Sequence, residues 1–189
     1  MLNIGVLVSG GGTNLQALID ACDNGVIKSG KIVTVVSNRA DAFALTRAEN
    51  HGISTAVFSR KDYATKDAHD EAIADYMESC NVDLIVMAGY LSIVGEKLLG
   101  RFKDKIINIH PSLIPSFCGD GFYGLKVHQA ALDYGVKVTG ATVHFVNEVT
   151  DGGKIILQKA VFINDDDTAE TLQKRVMEEA EWQILPQAL

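Results

Sequence analysis

Along the first half of the chain, apolar and polar positions alternate in blocks that read as strands and helices. Asn3–Val8 is a short apolar, β-rich run followed by turn residues, which predicts a strand. Asn14–Cys22 places Leu15, Leu18 and Ile19 at helical spacing. Ile32–Ser37 predicts a second strand, Asp41–Asn50 a second helix with Gly52 just beyond its end, and Ser54–Phe58 a third strand. Asp62–Cys80 predicts a long helix, because Tyr63, Ala68, Ile73, Tyr76 and Met77 fall close to one face. Asp83–Ala88 is an apolar run of the kind found in a strand covered on both faces. Such βαβα alternation predicts a parallel sheet with helices on both sides.

The second half has a different rhythm. Ile106–Ile109 predicts a fifth strand, Pro111–Gly124 a loop rich in Pro, Ser and Gly, and Leu125–Tyr134 a helix. Val136–Val146 and Lys154–Ile163 are longer strands joined by a connection ending in Asp151-Gly152-Gly153, a spacing that suggests an antiparallel pair. Thr168–Leu185 predicts a final helix ending near Pro186. The expected architecture is one α/β domain, parallel at first and mixed at the end.

Composition narrows the function classes. A chain of 189 residues, 47% hydrophobic and 22% charged, fits an ordinary globular domain. The net charge is −7 and the 17 basic residues are scattered, which argues against nucleic-acid binding. The longest mostly apolar run, Leu84–Leu91, is too short to cross a bilayer. Cys22, Cys80 and Cys118 are odd in number, far apart and at no zinc spacing. With no basic-then-apolar leader at Met1, they suggest reduced thiols and a cytoplasmic location.

Three segments carry candidate chemistry. Ser9-Gly10-Gly11-Gly12-Thr13-Asn14 lies between the first strand and first helix. Its glycines expose backbone N–H groups, and the helix start adds more, so the segment suits a phosphate. It matches neither the Walker A nor the G-x-G-x-x-G pattern; the other reading is a glycine turn with no ligand. In Asn108-Ile109-His110-Pro111, Asn108 and His110 project from one strand face at its carboxyl end. An amide donor beside an imidazole suits a tetrahedral transition state, and equally suits the fixing of a loop. Asp151, before two glycines, is first a turn residue; near an imidazole it would raise that ring's pKa and orient it. His51 and His69 are expected in solvent, and His128 and His144 as hydrogen-bonded structural histidines. Asp165–Asp167 reads as acid at a helix start, Cys118 as a bystander, and no grouping has metal spacing.

In combination these motifs are specific. Ser9–Asn14 after the first strand, Asn108-Ile-His-Pro-Ser-Leu-Ile-Pro115, and Asp151-Gly-Gly before Ile155-Ile-Leu-Gln158 occur in order. The chain resembles the folate-dependent phosphoribosylglycinamide formyltransferases over essentially its whole length. The resemblance implies a single formyltransferase domain over residues 1–189. It implies a Rossmann-like parallel sheet first, a mixed sheet second, and helices on both faces. A phosphate-binding half is expected over about 1–100, and a catalytic and folate-binding half over about 101–189. Asn108, His110 and Asp151 fall on the family's catalytic positions. The ribonucleotide's phosphate would lie on Gly12, Thr13 and Asn14, and its ribose against Glu181. The pterin of the co-substrate 10-formyltetrahydrofolate would lie against Leu91, Ser92, Ile93, Val94 and Asn108. Asn147, Glu148, Val149, Thr150 and Asp151 would complete that surface, with Lys66 near the glutamate tail. The chemistry implied is transfer of the formyl group to the primary amine of glycinamide ribonucleotide in purine synthesis, with no metal.

Four departures from the family pattern stand out. Lys66 replaces an arginine, Trp182 replaces a histidine, the loop Ser116–Gly124 is longer, and the chain stops at Leu189. Placing Glu181 also requires one extra residue in the last helix. Formyltetrahydrofolate hydrolases resemble the chain but carry an additional amino-terminal domain, whereas here the first strand begins at Asn3. Transformylases of initiator methionyl-tRNA carry a further carboxy-terminal domain and lack the glycine loop. A non-catalytic phosphometabolite-binding module would not need Asn108, His110 and Asp151 together. Small-molecule partners and a monomer or homodimer are expected, without nucleic acid or membrane.

Overall fold

The structure, a computed structural model, describes residues 1–189. The chain divides into two compact units, residues 1–107 with Leu189, and residues 108–188. The first unit holds β1 (Leu2–Val8), β2 (Gly30–Ser37), β3 (Ser54–Val57) and β4 (Leu84–Met87). β1 pairs in parallel with β2 and with β4, and β2 with β3. The apolar runs of these strands make the core: Val6, Leu7, Val35, Val36, Ile85 and Val86 are fully buried. β5 (Ile106–His110) runs from the first unit into the second. The strand order of the α/β sheet is β3-β2-β1-β4-β5-β6-β7, mixed as expected.

Helices α1 (Thr13–Asp23), α2 (Phe43–Asn50), α3 (Lys66–Ser79) and α4 (Glu96–Arg101) complete the first unit. One helix starts later than the sequence reading, and one helix is new. The helix expected from Asp62 begins at Lys66, because Thr65 caps it with a hydroxyl that accepts from the Ala68 N–H at 3.1 Å. Arg60–Asp62 is instead a separate 3₁₀ turn. α4 has no counterpart in the sequence reading; it has only six residues, one of them Gly100. The chain goes from β1 outward to β2 and β3, then returns to the other side of β1 as β4. The direction of winding therefore reverses at the carboxyl end of β1, where open parallel sheets bind their ligands.

In the second unit, α5 (Leu125–Tyr134) precedes β6 (Val138–Phe145) and β7 (Ile155–Phe162), which are antiparallel as the spacing suggested. Val127, Ala131, Val143, Leu172 and Leu185 are buried in its core. The final helix is not continuous. α6 (Ala169–Val176) passes through a π-helical turn, Met177–Glu181, into α7 (Trp182–Gln187), and Pro186 lies inside the last turn. A π turn accommodates one residue more than an α turn. This one leaves Glu181 buried.

Candidate active site

Alternation along β5 sends Ile107 and Ile109 to one face and Asn108 and His110 to the other. Pro111 follows at once and keeps His110 extended. The His110 ring is buried, with Nε2 2.9 Å from the Phe117 carbonyl oxygen. A carbonyl only accepts, so Nε2 carries a hydrogen and donates it. Nδ1 lies 3.4 Å from Oδ2 of Asp151. Both ring nitrogens therefore face acceptors, which only the imidazolium satisfies in full. Burial pushes the His110 pKa below the ordinary imidazole value, while the Asp151 charge and the Phe117 carbonyl pull it back up. The charge state of the ring is thus sensitive to what enters beside it.

Asp151 is fixed by the turn that carries it. Its φ is 55°, a left-handed conformation that Asp tolerates better than most residues. A Cβ on Gly153 would lie 1.6 Å from the Phe145 carbonyl oxygen, and one on Gly152 2.6 Å from Val149 Cγ1. Both glycines of the Asp-Gly-Gly run are therefore steric requirements. The Gly119 N–H donates to Asp151 Oδ2 at 2.9 Å, and His144 Nε2 stands 3.6 Å from Oδ1. Burial would raise the Asp151 carboxyl. The His144 and His110 rings and the Gly119 N–H outweigh it and hold the pKa below the usual carboxylate value.

His144, expected as a hydrogen-bonded structural histidine, is hydrogen-bonded and also belongs to the site. Its Nδ1 lies 2.8 Å from the Phe145 carbonyl oxygen, so Nδ1–H donates there; Nε2, between Asn108 and Asp151, accepts from the amide when the ring is neutral and donates to the carboxylate when it is charged. Asn108 Nδ2 approaches that Nε2 at 3.3 Å. One N–H of the Asn108 amide is thereby held, and the second is available to a substrate oxygen. Four polar groups from β5, β6 and the 147–153 turn thus meet: Asn108 and His110 flank a carboxylate shared by two histidines. No sequence spacing gives this, since it depends on how β6 aligns with the turn. His128 is also buried, but neither ring nitrogen has a hydrogen-bond partner, contrary to the expectation of a hydrogen-bonded structural histidine. His69 is buried as well, not solvated as expected, with Nε2 2.9 Å from the Phe58 carbonyl oxygen.

The loop after β5 is tied at both ends. Thr142 Oγ1 donates to the Ser112 carbonyl at 2.7 Å and accepts from the Ile114 N–H at 3.1 Å. Gln158 Nε2 donates to the Ile114 carbonyl at 3.0 Å. The segment Ser116–Gly124 is woven into the site. Phe117 supplies the carbonyl to His110, Gly119 the N–H to Asp151, and Asp120 accepts from the Thr150 hydroxyl at 2.9 Å. Cys118 bonds only the Pro115 carbonyl, and burial together with the Asp151 charge pushes its thiol pKa up, which keeps it protonated.

In the first unit, the glycine segment stands at the carboxyl end of β1, with Gly12 left-handed at φ 74° as the residue before α1. The Ser9 hydroxyl accepts from the Leu91 N–H at 2.9 Å, and Asn38 Nδ2 donates to the Ser92 hydroxyl at 2.7 Å. Leu91–Val94 therefore lies over the carboxyl ends of β1, β2 and β4. Leu91 and Ile93 are 60% and 64% exposed, while Val94 is buried. In the second unit, Val149 is 64% exposed at the tip of a turn that Asn147 Oδ1 braces by accepting from the Val149 N–H. Exposed aliphatic side chains beside backbone polar groups suit a flat heteroaromatic ring. Lys66 opens α3 beside the buried Asp70. A Cβ on Gly95 would lie 3.1 Å from Lys66 Nζ and 2.2 Å from Asp70 Oδ2. No group of three or more His, Cys, Asp or Glu side chains is arranged to hold a metal ion. No helix is long and apolar enough to cross a membrane.

Comparison with known proteins places the chain in a family. A family model described as formyl transferase matches residues 2–189. The chain is 48% identical to phosphoribosylglycinamide formyltransferase of Haemophilus influenzae, over 98% of this chain and 84% of that protein. It is 43% identical to the trifunctional purine biosynthetic protein adenosine-3 of Gallus gallus, over 100% of this chain but 18% of that protein. Among solved structures, glycinamide ribonucleotide transformylase 1 of Symbiobacterium toebii superposes with a TM-score of 0.93 at 44% identity, covering 100% of this chain and 85% of that one. The chain is an enzyme of the formyl transferase class, and it belongs to the phosphoribosylglycinamide formyltransferase family.

Proposed function

We propose that the protein transfers the formyl group of 10-formyltetrahydrofolate to the primary amine of glycinamide ribonucleotide, a step of purine biosynthesis. The observation that carries the reading is the meeting of Asn108, His110 and Asp151 in one cluster, with one amide N–H of Asn108 left over as a donor and both His110 nitrogens facing acceptors. The Asn108 amide donates its second N–H to the formyl oxygen as negative charge builds there. His110, oriented by Asp151, donates to that oxygen when its Nε2–H leaves the Phe117 carbonyl, and moves protons between amine and leaving nitrogen. Holding amine and formyl carbon in line supplies a further ~7–11 kcal/mol in the most favourable cases. The residues do this without Lewis-acid help.

In this reading Gly12, Thr13 and Asn14 hold the ribonucleotide's phosphate, and Glu181 meets its ribose. Leu91, Ser92, Ile93, Val94, Asn147, Glu148, Val149 and Thr150 hold the folate, with Lys66 attracting its carboxylate tail. The exposed Leu91, Ile93 and Val149 support this, as does the glycine segment's place at the switch in winding. Because Asp70 draws on the Lys66 charge, the grip on that tail is that of a weak point charge. The whole chain works as one formyltransferase domain in the cytoplasm, as a monomer or homodimer, on small molecules and with neither nucleic acid nor membrane. The test is the pair His110→Ala and Asp151→Asn. Both keep the fold, seen by circular dichroism, and both lose at least a hundredfold in kcat. Wild-type turnover in either purified variant refutes the assignment.

A further inference from the structure

Arg47 of α2 reaches across to the glycine segment. Its Nε–H donates to the Gly11 carbonyl at 2.8 Å, and Nη1 to Gln16 Oε1 at 3.1 Å. The guanidinium lies over the Phe43 ring, 5.0 Å from its centre, and is planar enough to stack there while it donates. One turn earlier, the Ala44 N–H donates to the Gly10 carbonyl at 3.0 Å. Two consecutive loop carbonyls are therefore pulled toward α2. In a trans peptide the C=O of one residue and the N–H of the next point in opposite directions. Fixing the carbonyls of Gly10 and Gly11 thus turns the N–H groups of Gly11 and Gly12 away from α2. An added Cβ at Gly10 or Gly11 would meet nothing within 4 Å, so the loop is open at these two residues.

We propose that Arg47 is a positioning residue for the phosphate of the ribonucleotide, acting by holding the glycine loop with its N–H groups aimed at that phosphate. The proposal rests on the reading that this loop binds the phosphate. It gives Arg47 a role that does not depend on touching substrate: two of its five N–H donors hold Gly11 and Gln16, and it acts through these. Lysine cannot reproduce that two-point hold, because it lacks the planar fork.

The test compares wild type with Arg47→Met, which keeps the alkyl stem, and Arg47→Lys, which keeps the charge. Steady-state kinetics are run with glycinamide ribonucleotide and with its phosphate-free riboside, with inorganic phosphate as inhibitor and thermal melting alongside. Arg47→Met is expected to raise the ribonucleotide KM and the inhibition constant of phosphate about tenfold. It leaves kcat, the folate KM and activity on the riboside within about twofold, and Arg47→Lys recovers only part of the loss. Equal losses on ribonucleotide and riboside, an unchanged ribonucleotide KM in Arg47→Met, or full recovery by lysine would overturn the proposal. A wild-type enzyme that does not distinguish ribonucleotide from riboside removes the phosphate reading itself, and Arg47's role with it.

Discussion

Protonation of His128 makes a quantitative demand on stability. The side chain is 1% exposed on α5, with neither ring nitrogen hydrogen-bonded. Burial, helped by the nearby His110, pushes its pKa down to about 4. In the unfolded chain the same ring titrates near 6.5. Below pH 6.5 the unfolded state therefore takes up a proton that the folded state refuses until about pH 4. Stability contributed by the neutral ring is complete above pH 6.5 and declines as pH falls through this window. At ~1.36 kcal/mol per unit, the loss over the 1.5 units from 6.5 to 5 is about 2 kcal/mol. Urea unfolding at pH 8 and pH 5 measures it, with His128→Leu as the reference that lacks the titrating ring. Wild type should lose about 2 kcal/mol more than the variant between the two pH values, roughly a 1 M difference in midpoint shift. The other histidines titrate in both proteins and largely cancel. Equal losses in the two proteins would refute the placement of a neutral, unpartnered imidazole in that position.

Other outcomes follow from the same structure. Gly12→Ala puts a Cβ 2.6 Å from Ala44 Cβ at φ 74°, and should cost about 2–4 kcal/mol in chemical denaturation and raise the ribonucleotide KM. His144→Leu removes the acceptor that holds the Asn108 amide and one of the two rings on Asp151. It should lower kcat about 10–100-fold with substrate KM values little changed, in steady-state assays. Asp151 has a lowered folded pKa, so its share of stability is present above the ordinary carboxylate value and is lost only as pH falls through the folded one. The stability difference between wild type and Asp151→Asn should accordingly persist down to pH 5 and shrink below about pH 4.

Much of this was legible in the sequence, and the failures have physical causes. The four parallel strands, the Asn-x-His pair on one face of β5 and the antiparallel β6–β7 pair are all local patterns of period two or buried apolar runs. The Asp-Gly-Gly turn was legible as a turn, and the close approach of Gly153 to the Phe145 carbonyl explains why no other residue would serve. The helix start at Asp62 was misplaced because Tyr63 continues the apolar phase, yet the Thr65 hydroxyl competes for the first turn and wins. The π turn at Met177–Glu181 escaped because Leu172, Val176 and Ala180 keep a four-residue spacing that an unbroken helix would share. His69 was expected in water because its neighbours in sequence are polar. It is covered by a segment eleven residues upstream, at Phe58. The place of His144 in the site and the contact of Arg47 share one reason for escaping the sequence. Each acts through a partner more than thirty residues away, Asn108 and Gly11 respectively, which no short spacing reports.

The central claim is formyl transfer to an amine rather than to water. Purified protein is incubated with 10-formyltetrahydrofolate, with and without glycinamide ribonucleotide, and the folate product and formylated ribonucleotide are both quantified. The account predicts folate product only when the ribonucleotide is present, with one formylated ribonucleotide for each folate released. Folate product at the same rate without the ribonucleotide, or none in either case, would contradict it.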